Sequence, residues 1–464
     1  MTQRKTCIIV FACSLVLNGC AYFQDYNRMT RQARVSISQG SYPDALATFP
    51  SSAARGGNEI LIRMERGTLL QAMGQYKESA AEFEVAAKKI AYYENRAVIS
   101  ASKGASEAAS LVINEKAIPY EGVDFEKVLI HAFDALNYLM LGDLEDARVE
   151  IRNAYRRQQE LYDKHYKDLE KAQKNVRGMR WEDPLRRADP QGYHQLMQTA
   201  ESVASIYQNA FAYYISSLVY ELNLEVDEAY IDLKKAIDAA PNCRAIQRDL
   251  IRLSKDLHYS DDLERWENSF GKMDPVLRDG IDIFVVFEFG LAPHKEQVKF
   301  PILTGSGIVS AAFPVYRFTP SATVAGMVSC NERGEKTSIV SDMDAIAARN
   351  LLDEFPILLA KQIARSVLKG YATRQLRNEY GAGGAIAGSI VSIITEQADL
   401  RTWSTLPKQV HVARLFVPKL TREITISALP IGGKGTMSIP ERAKHVVILA
   451  RASDGVLSIH SQVY

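Results

Sequence analysis

The sequence predicts two architectures in series: an α-helical solenoid, then an α+β domain whose sheet is mostly antiparallel. Two observations predict it. A turn followed by a small residue recurs at a spacing of about 34 residues through the first half. Near Asp279 the texture changes from helix-forming and charged to β-branched and aromatic runs cut by Gly and Pro turns. A third observation sets residues 1–19 apart from both. With them removed, residues 20–464 remain, a length for two or three domains.

Arg4 and Lys5 precede an apolar run from Cys7 to Leu17 that stops at Gly19-Cys20. A basic start, a short apolar stretch and a small-residue stop make a secretory signal. The run is too short to span a bilayer, which takes about 20 apolar residues. Leu17-Asn18-Gly19-Cys20 resembles the lipobox of bacterial lipoproteins, with Asn18 bulkier than the usual residue there. The resemblance implies a signal peptide over 1–19, a Cys20 thiol carrying diacylglycerol and an acylated new N-terminus. Several chains anchor firmly where a single one binds only marginally. The other reading is an ordinary secretory peptide cleaved near Gly19, with Cys20 incidental. Ala21 rather than Asp follows the cysteine, so the resemblance further implies the periplasmic face of the outer membrane. Losing Arg4 and Lys5 takes the formal charge from +1 to −1, which gives no global electrostatic case for nucleic acid. No later segment is long and apolar enough to cross a membrane. Cys243 and Cys330 then remain in a compartment that permits disulfides. They are either two separately buried thiols or a bond that clamps the two halves, and spacing does not decide which.

From Cys20 to about residue 270 the chain reads as helical repeats. "QGSYPDALATF", "MGQYKESAAEF", "LGDLEDARVEI" and "NLEVDEAYIDL" align Gly40, Gly74, Gly142 and Leu224 at one turn position. Gly40 to Gly74 is one period of about 34 residues and Gly74 to Gly142 is two, the period of tetratricopeptide repeats. Seven residues before the turn stand Ala33, Gly67, Ala135 and Ser217, and five after it Ala45, Ser79, Ala147 and Ala229. Small residues at both places let paired helices approach closely. Phe49, Phe83, Ile151 and Leu233, nine after the turn, fill the space between helices. The unit expected near residue 108 is degenerate, and Pro241 ends the last repeat. The interval from Gly142 to Leu224 exceeds two periods, and its excess falls in a charged helical stretch ending in "RWEDPLRRADP". That stretch is a solvated face or an arm that touches a partner. Anchoring on Gly142 puts His131, Ala135 and Tyr138 between helices, and Leu129, Ala132, Leu136 and Leu139 on the groove side. An apolar groove fits a partner's peptide or helix, or a segment of this chain folded back.

The α+β domain is expected over 279–464. "GIDIFVVFEFG" opens it as a strand, and "EQVKFPI", "GIVSAAFPVYRF", "ATVAGMV" and "KTSIV" extend the β signal. Residues 342–378 read as helix, interrupted near Pro356, and "GAGGAIAGSIVSIITEQADL" as a second helix. "KQVHVARLFVP", "REITISALP", "HVVILARA" and "VLSIHSQV" close the chain as strands, with "IGGKG" a hairpin turn between two of them. A cut between Glu267 and Asp279 is expected to give two independently folding pieces.

Two segments carry a wider resemblance. Tyr120, Glu126, Asn137, Tyr138, Glu150 and Arg152 lie in "PYEGVDFEKVLIHAFDALNYLMLGDLEDARVEIRNAYRRQ". Pro293, Lys295, Glu396, Asp399, Arg401, Trp403 and Pro407 lie in "GLAPHKE" and "EQADLRTWSTLP". In these the chain resembles an uncharacterised family of bacterial outer-membrane lipoproteins with tetratricopeptide repeats and a C-terminal α+β domain. That family has no established chemistry to transfer. Arg401 and Trp403 read either as a recognition surface, given how these residue types dominate interfaces, or as a buried corner.

Catalytic patterns fail on their own terms. There is no HExxH and no Cys-x-x-Cys for a metal, and "TGSG" around Ser306 lacks the flanking glycines of a nucleophile elbow. In "GAGGAIAG" Ile386 stands where a third glycine is needed, and "IGGKG" lacks the Ser or Thr of a phosphate loop. Gly384 and Gly388 have GxxxG spacing in too short an apolar segment. No cofactor, metal or enzymatic activity is expected. The expected function is a lipid-anchored, periplasm-facing scaffold whose repeats bind envelope-assembly proteins, such as peptidoglycan synthases, outer-membrane insertion machinery or an exporter. Expected contact residues are Leu129, Ala132, Leu136, Leu139, Arg401 and Trp403. The alternatives are a periplasmic enzyme housed in the C-terminal domain and a subunit of a multimeric export assembly.

Overall fold

A computed structural model describes residues 26, 28–102, 119–175, 182–273, 277, 279–304, 307–319, 324–330, 333–364, 378, 398–453 and 455–464. Cys20 and its motif, the unit near residue 108, Ser306, the Gly-Ala stretch and Glu396 lie outside these.

Helices run in antiparallel pairs: α1 (28–38) with α2 (Tyr42–Ala47), α3 (Glu59–Ala72) with α4 (Tyr76–Ser102), and α5 (Asp124–Leu141) with α6 (Leu144–Asn175). After α7 (Glu182–Ala188) and α8 (Pro190–Ala200) come α9 (Ala210–Leu222) with α10 (Val226–Ala239), then α11 (Arg244–Asp256) with α12 (Ser260–Phe270). The register read from spacing is the register of the packing. Ala33, Ala135, Ala45, Ser79, Ala147 and Ala229 have no exposed surface. A Cβ on Gly67 would overlap the Phe83 ring. Each pair turns in the same way. Gly74 donates to Gln71 and Gln75 to Leu70; Gly142 donates to Leu139 and Asp143 to Tyr138. These bonds satisfy helix-end carbonyls and require a left-handed residue at the turn.

One pair escaped the sequence reading. His258, at φ +59°, stands one repeat period after Leu224, and its turn makes the same two bonds, to Lys255 and from Tyr259 to Ser254. Pro241 therefore does not end the array. The pair was hidden because Ile251, Leu263 and Glu267 occupy the places where earlier repeats carry small and large apolar residues.

The second half holds strands β1 (Ile281–Phe289), β2 (His294–Thr304), β3 (Gly307–Arg317), β4 (Ala325–Cys330), β5 (Arg333–Lys336) and β6 (Ser338–Asp342). Helix α13 (343–364) follows, then β7 (Gln409–Val417), β8 (Glu423–Leu429), β9 (Lys434–Ser438), β10 (His445–Ser453) and β11 (Val456–Val463). A five-stranded sheet has the order β11-β10-β1-β7-β6, antiparallel except where β1 pairs with β10. A four-stranded sheet, β5-β4-β8-β9, lies on one of its faces, and β2 and β3 form a separate hairpin. Contrary to expectation, α13 continues through Pro356. The proline forfeits one backbone bond, while the Phe355 ring beside it is fully buried and stacked on Phe313.

The apolar run Ile283–Phe287 at the centre of β1 is explained by burial on both faces. Ile283, Val285 and Phe287 face the four-stranded sheet with Val328, Ile424 and Ile426. Phe284 and Val286 face the repeats, in one core with Leu129, Phe133, Leu136 and Tyr214. The helical and α+β parts thus share a core, which does not fit the expected pair of independently folding fragments. Cys243 and Cys330 are both free and buried.

Edge strand β11 lies across the repeat turns. A Cβ on Gly40 would come 2.6 Å from Val456, on Gly74 2.6 Å from His460, and on Gly142 2.9 Å from Gln462. Leu224, at φ +64°, is 87% exposed. Gly74→Ala therefore combines a left-handed cost of roughly 1–2 kcal/mol with a clash, and is expected to cost about 2 kcal/mol or more. Leu224→Gly relieves the same conformation in open solvent and is expected to gain about 1 kcal/mol. Urea unfolding midpoints of the two variants should move in opposite directions.

Candidate functional site

The groove of the solenoid is lined by the first helix of each pair, and residues 398–407 lie in it as a segment outside any helix or strand, turning at Ser404 and Thr405. Two fully buried carboxylates hold that segment by its backbone. Glu65, on α3, accepts from Ser404 N and Oγ at 2.8 Å through Oε1 and from Thr405 N at 2.8 Å through Oε2. Glu126, on α5, accepts from Trp403 N at 2.8 Å and from Thr402 Oγ1 at 3.3 Å. Tyr26 bridges the two sides, its hydroxyl within 2.7 Å of Glu65 and 2.8 Å of the Thr402 carbonyl. Tyr120 donates to the other oxygen of Glu126 at 2.5 Å. Burial pushes the Glu65 carboxyl above its ordinary range, while bonds from Thr405, Ser404 and Tyr26 pull the other way. Burial, and next the charge of Glu65, raises the Tyr26 hydroxyl, so Tyr26 remains a donor.

Trp403 fills the groove. Its indole has no exposed surface, donates from Nε1 to Thr68 at 2.8 Å, and meets the Phe83 and Phe133 rings edge-on. Arg401 chelates Asp399 and also donates to the Gly57 carbonyl and to Asn58. Lys295 donates to the Arg401 carbonyl at 3.2 Å, and Arg34 on α1 donates to the carbonyls of Ala292 and Ser404. The segment's donors thus answer the groove's carboxylates, and its carbonyls answer the cations around it.

Leu129, Ala132, Leu136 and Leu139 are all buried in the shared core, and Arg401 and Trp403 are buried as well. The structure encloses all six inside the molecule, the four α5 residues and Trp403 in one core and Arg401 on Asp399, Gly57 and Asn58. As expected surfaces for a partner they are corrected: the chain itself fills the groove, because leaving so apolar a lining in water is unfavourable. The two resembling segments also meet here. Tyr120, Glu126, Lys295, Asp399, Arg401 and Trp403 are linked by hydrogen bonds along residues 399–403, while Asn137 sits in a separate set, bonded to Ser79 and receiving a bond from Gln71. Sequence reasoning missed Glu65 and Tyr26, whose signal is only a lone acid on an apolar helix and a tyrosine before the first repeat.

Further along, the groove meets the sheet through charge. Arg414 on β7 binds Asp282 on β1 at 2.6 and 2.9 Å and Glu221, at the end of α9, at 2.7 Å. Arg252 on α11 binds Glu221 at 2.8 Å and Asp249 at 3.1 Å, and Tyr214 donates to Asp249 at 2.7 Å. Burial would raise the Asp282 carboxyl, but Arg414 and the bond from His445 hold it well below the carboxylate range. These groups floor a cavity of about 650 Å³. Each of these carboxylates is matched to a guanidinium, which makes a structural tie and leaves none of them a free general base. Among the described residues no three His, Cys, Asp or Glu side chains are placed to hold a metal, and no helix is long and apolar enough to cross a membrane.

No family model matches the chain, and no curated protein sequence matches it. Among solved structures, a tetratricopeptide repeat protein from Parabacteroides merdae ATCC 43184 is similar at 16% identity, covering 50% of this chain and 99% of its own, with a TM-score of 0.14. The tetratricopeptide-like architecture rests on the paired helices and the regular recurrence of their turns.

Trp403→Ala is expected to cost about 3–5 kcal/mol, the range for truncating a buried aromatic. Glu65→Gln turns an amide toward a backbone donor and should cost about 2 kcal/mol or more by leaving that donor unpaired. Chemical unfolding measures both. A pH effect follows from Asp134 on α5, which burial, and next the charge of Glu150, pushes up to about 8. The folded state holds that proton and the unfolded state does not, so stability falls as pH rises from the ordinary carboxylate range toward 8. Asp134→Asn should remove the fall, raising the melting temperature at pH 9 more than at pH 5.

Proposed function

We propose that this chain is a lipid-anchored scaffold on the periplasmic face of an outer membrane, acting by protein–protein contact in envelope assembly. The observation that carries the scaffold reading is the groove itself: tetratricopeptide-like helices gripping a non-helical chain segment by its backbone and one aromatic side chain. Repeats of this form are built to hold chain segments. Here the α+β domain is the segment's owner, so the repeats and sheet act as one body and external partners meet the outer surface. That surface includes α6, where Tyr155, Tyr162 and Tyr166 stand 50%, 43% and 55% exposed. Tyrosines of this kind are enriched where proteins bind one another. The anchor and the location rest on the Leu17–Cys20 motif and on Ala21 after it.

Two measurements test the reading. Metabolic labelling with a fatty-acid analogue should mark the natural chain and not Cys20→Ser; equal labelling of both removes the anchor from the proposal. A photocrosslinker carried in intact cells at Tyr162 should capture a defined envelope protein. Capture at position 136 in its place would move the contact to the groove.

A further inference from the structure

Sheets end in edges, and an edge strand offers unpaired N–H and C=O groups to any other strand. Natural edges are usually short, bulged or charged for that reason. Three edges here follow the rule. β5 is four residues, Arg-Gly-Glu-Lys; β9 is five residues and begins at Lys434; β6 is five residues with a bulge between Ile339 and Ser341. β11 does not. It is eight residues, Val-Leu-Ser-Ile-His-Ser-Gln-Val, with no charge and no proline, and its register on β10 is unbroken from Val456 to Val463. Among the described residues β10 is the strand it pairs with.

The direction of its free groups follows from the ladder. Tyr464 and His445 exchange both backbone bonds. Bonded and non-bonded pairs alternate along an antiparallel ladder. Gln462, His460 and Ser458 therefore bond β10, while Leu457, Ile459, Ser461 and Val463 turn their N–H and C=O groups away from it. Both faces of the strand are covered. Val456, His460 and Gln462 meet the repeat turns, and Ile459 and Leu457 meet Gly435 and Gly433 beside β9. Yet no residue of β11 is buried, whereas every residue of β1 is. With both faces in contact, the strand's outer N–H and C=O groups are the ones left for another strand.

We propose that β11 is the interface for a second copy of this chain, pairing antiparallel with its counterpart to make one continuous ten-stranded sheet. Two features select a second copy as the occupant. An uncharged strand opposes itself with no like-charge penalty. One antiparallel register engages all four outward residues at once, Leu457 with Val463 and Ile459 with Ser461, and that register is two-fold symmetric about His460. The blunted β6 edge disfavours head-to-tail growth, so the pairing closes as a dimer.

The test uses the full chain in mild detergent. At the axis the two copies of residue 460 form a non-bonded pair with Cα atoms about 4.5 Å apart, inside disulfide range. His460→Cys with a mild oxidant should therefore give a disulfide-linked dimer. Gln462→Cys, set off the axis, and the unsubstituted chain should not. Ser461→Pro removes one outward donor without touching the β10 ladder. It should convert the unsubstituted dimer seen by light scattering to monomer with its thermal transition retained. Should that variant fail to fold, Ser461→Lys places a charge on the same exposed edge and should do the same. A monomeric unsubstituted chain, a dimer indifferent to the folded Ser461 variant, or crosslinking at 462 in preference to 460 overturns the proposal.

Discussion

The seating of the whole second half depends on two buried carboxylates. Glu65 and Glu126 accept the backbone N–H groups of Trp403, Ser404 and Thr405, and that contact fixes where the chain must be when it starts β7 at Gln409. A buried carboxyl left without hydrogen-bond partners is costly, so the folded packing of α3 and α5 favours having the segment in place. The segment in turn has no ladder partner in any sheet for the N–H groups it gives to these acids. Each side supplies what the other lacks, and the exchange couples the fold of the repeats to that of the α+β domain.

Trp403 adds the apolar half of the same contact. Its ring closes the space between Phe83 and Phe133, one from the second helix of a pair and one from the first helix of the next. A groove between helix pairs is usually the place where a solenoid receives something. Here it receives a segment of its own chain, and Arg451 on β10 extends the contact by donating to the Thr405 carbonyl at 2.6 Å. Glu288, beside it on β1, pairs with Arg451 where both are almost fully enclosed. The consequence for function is steric: a peptide that enters this groove must first displace an aromatic anchor and a set of charge-assisted bonds.

Local pattern made most of the fold legible. The recurring turn placed the helix pairs because close helix approach demands small residues at fixed offsets, and Ala45, Ser79, Ala147 and Ala229 meet that demand. Strand β1 was visible as the β-branched and aromatic run from Ile283 to Phe287. The site was half legible. Leu129, Leu136 and Trp403 were recognisable as residues that must be covered. What covers Trp403, the Phe83 and Phe133 rings, comes from the opposite half of the chain, and no period or propensity carries that information. The last helix pair was missed because its turn residue is His258 and its packing positions are not small. There the tertiary contacts override the pattern.

Glycine at the turns and charge at the seam divide the work of holding the sheet. At Gly40, Gly74 and Gly142 the strand β11 lies so close that only a hydrogen fits beneath it. At the later turns Leu224 and His258 are tolerated in the same left-handed conformation, and Leu224 stands open to solvent. The sheet is held there by Arg414 and Arg252 against Glu221, Asp249 and Asp282. Replacing such a buried cluster by apolar side chains is often neutral or stabilising, so strength alone does not explain it. Apolar faces, however, slide at little cost. A guanidinium bound bidentately by one carboxylate on the sheet and another on a helix admits one relative placement. Close approach fixes the sheet over the first repeats, and directional charge fixes it over the last. The long β11 edge is consequently presented in a single orientation.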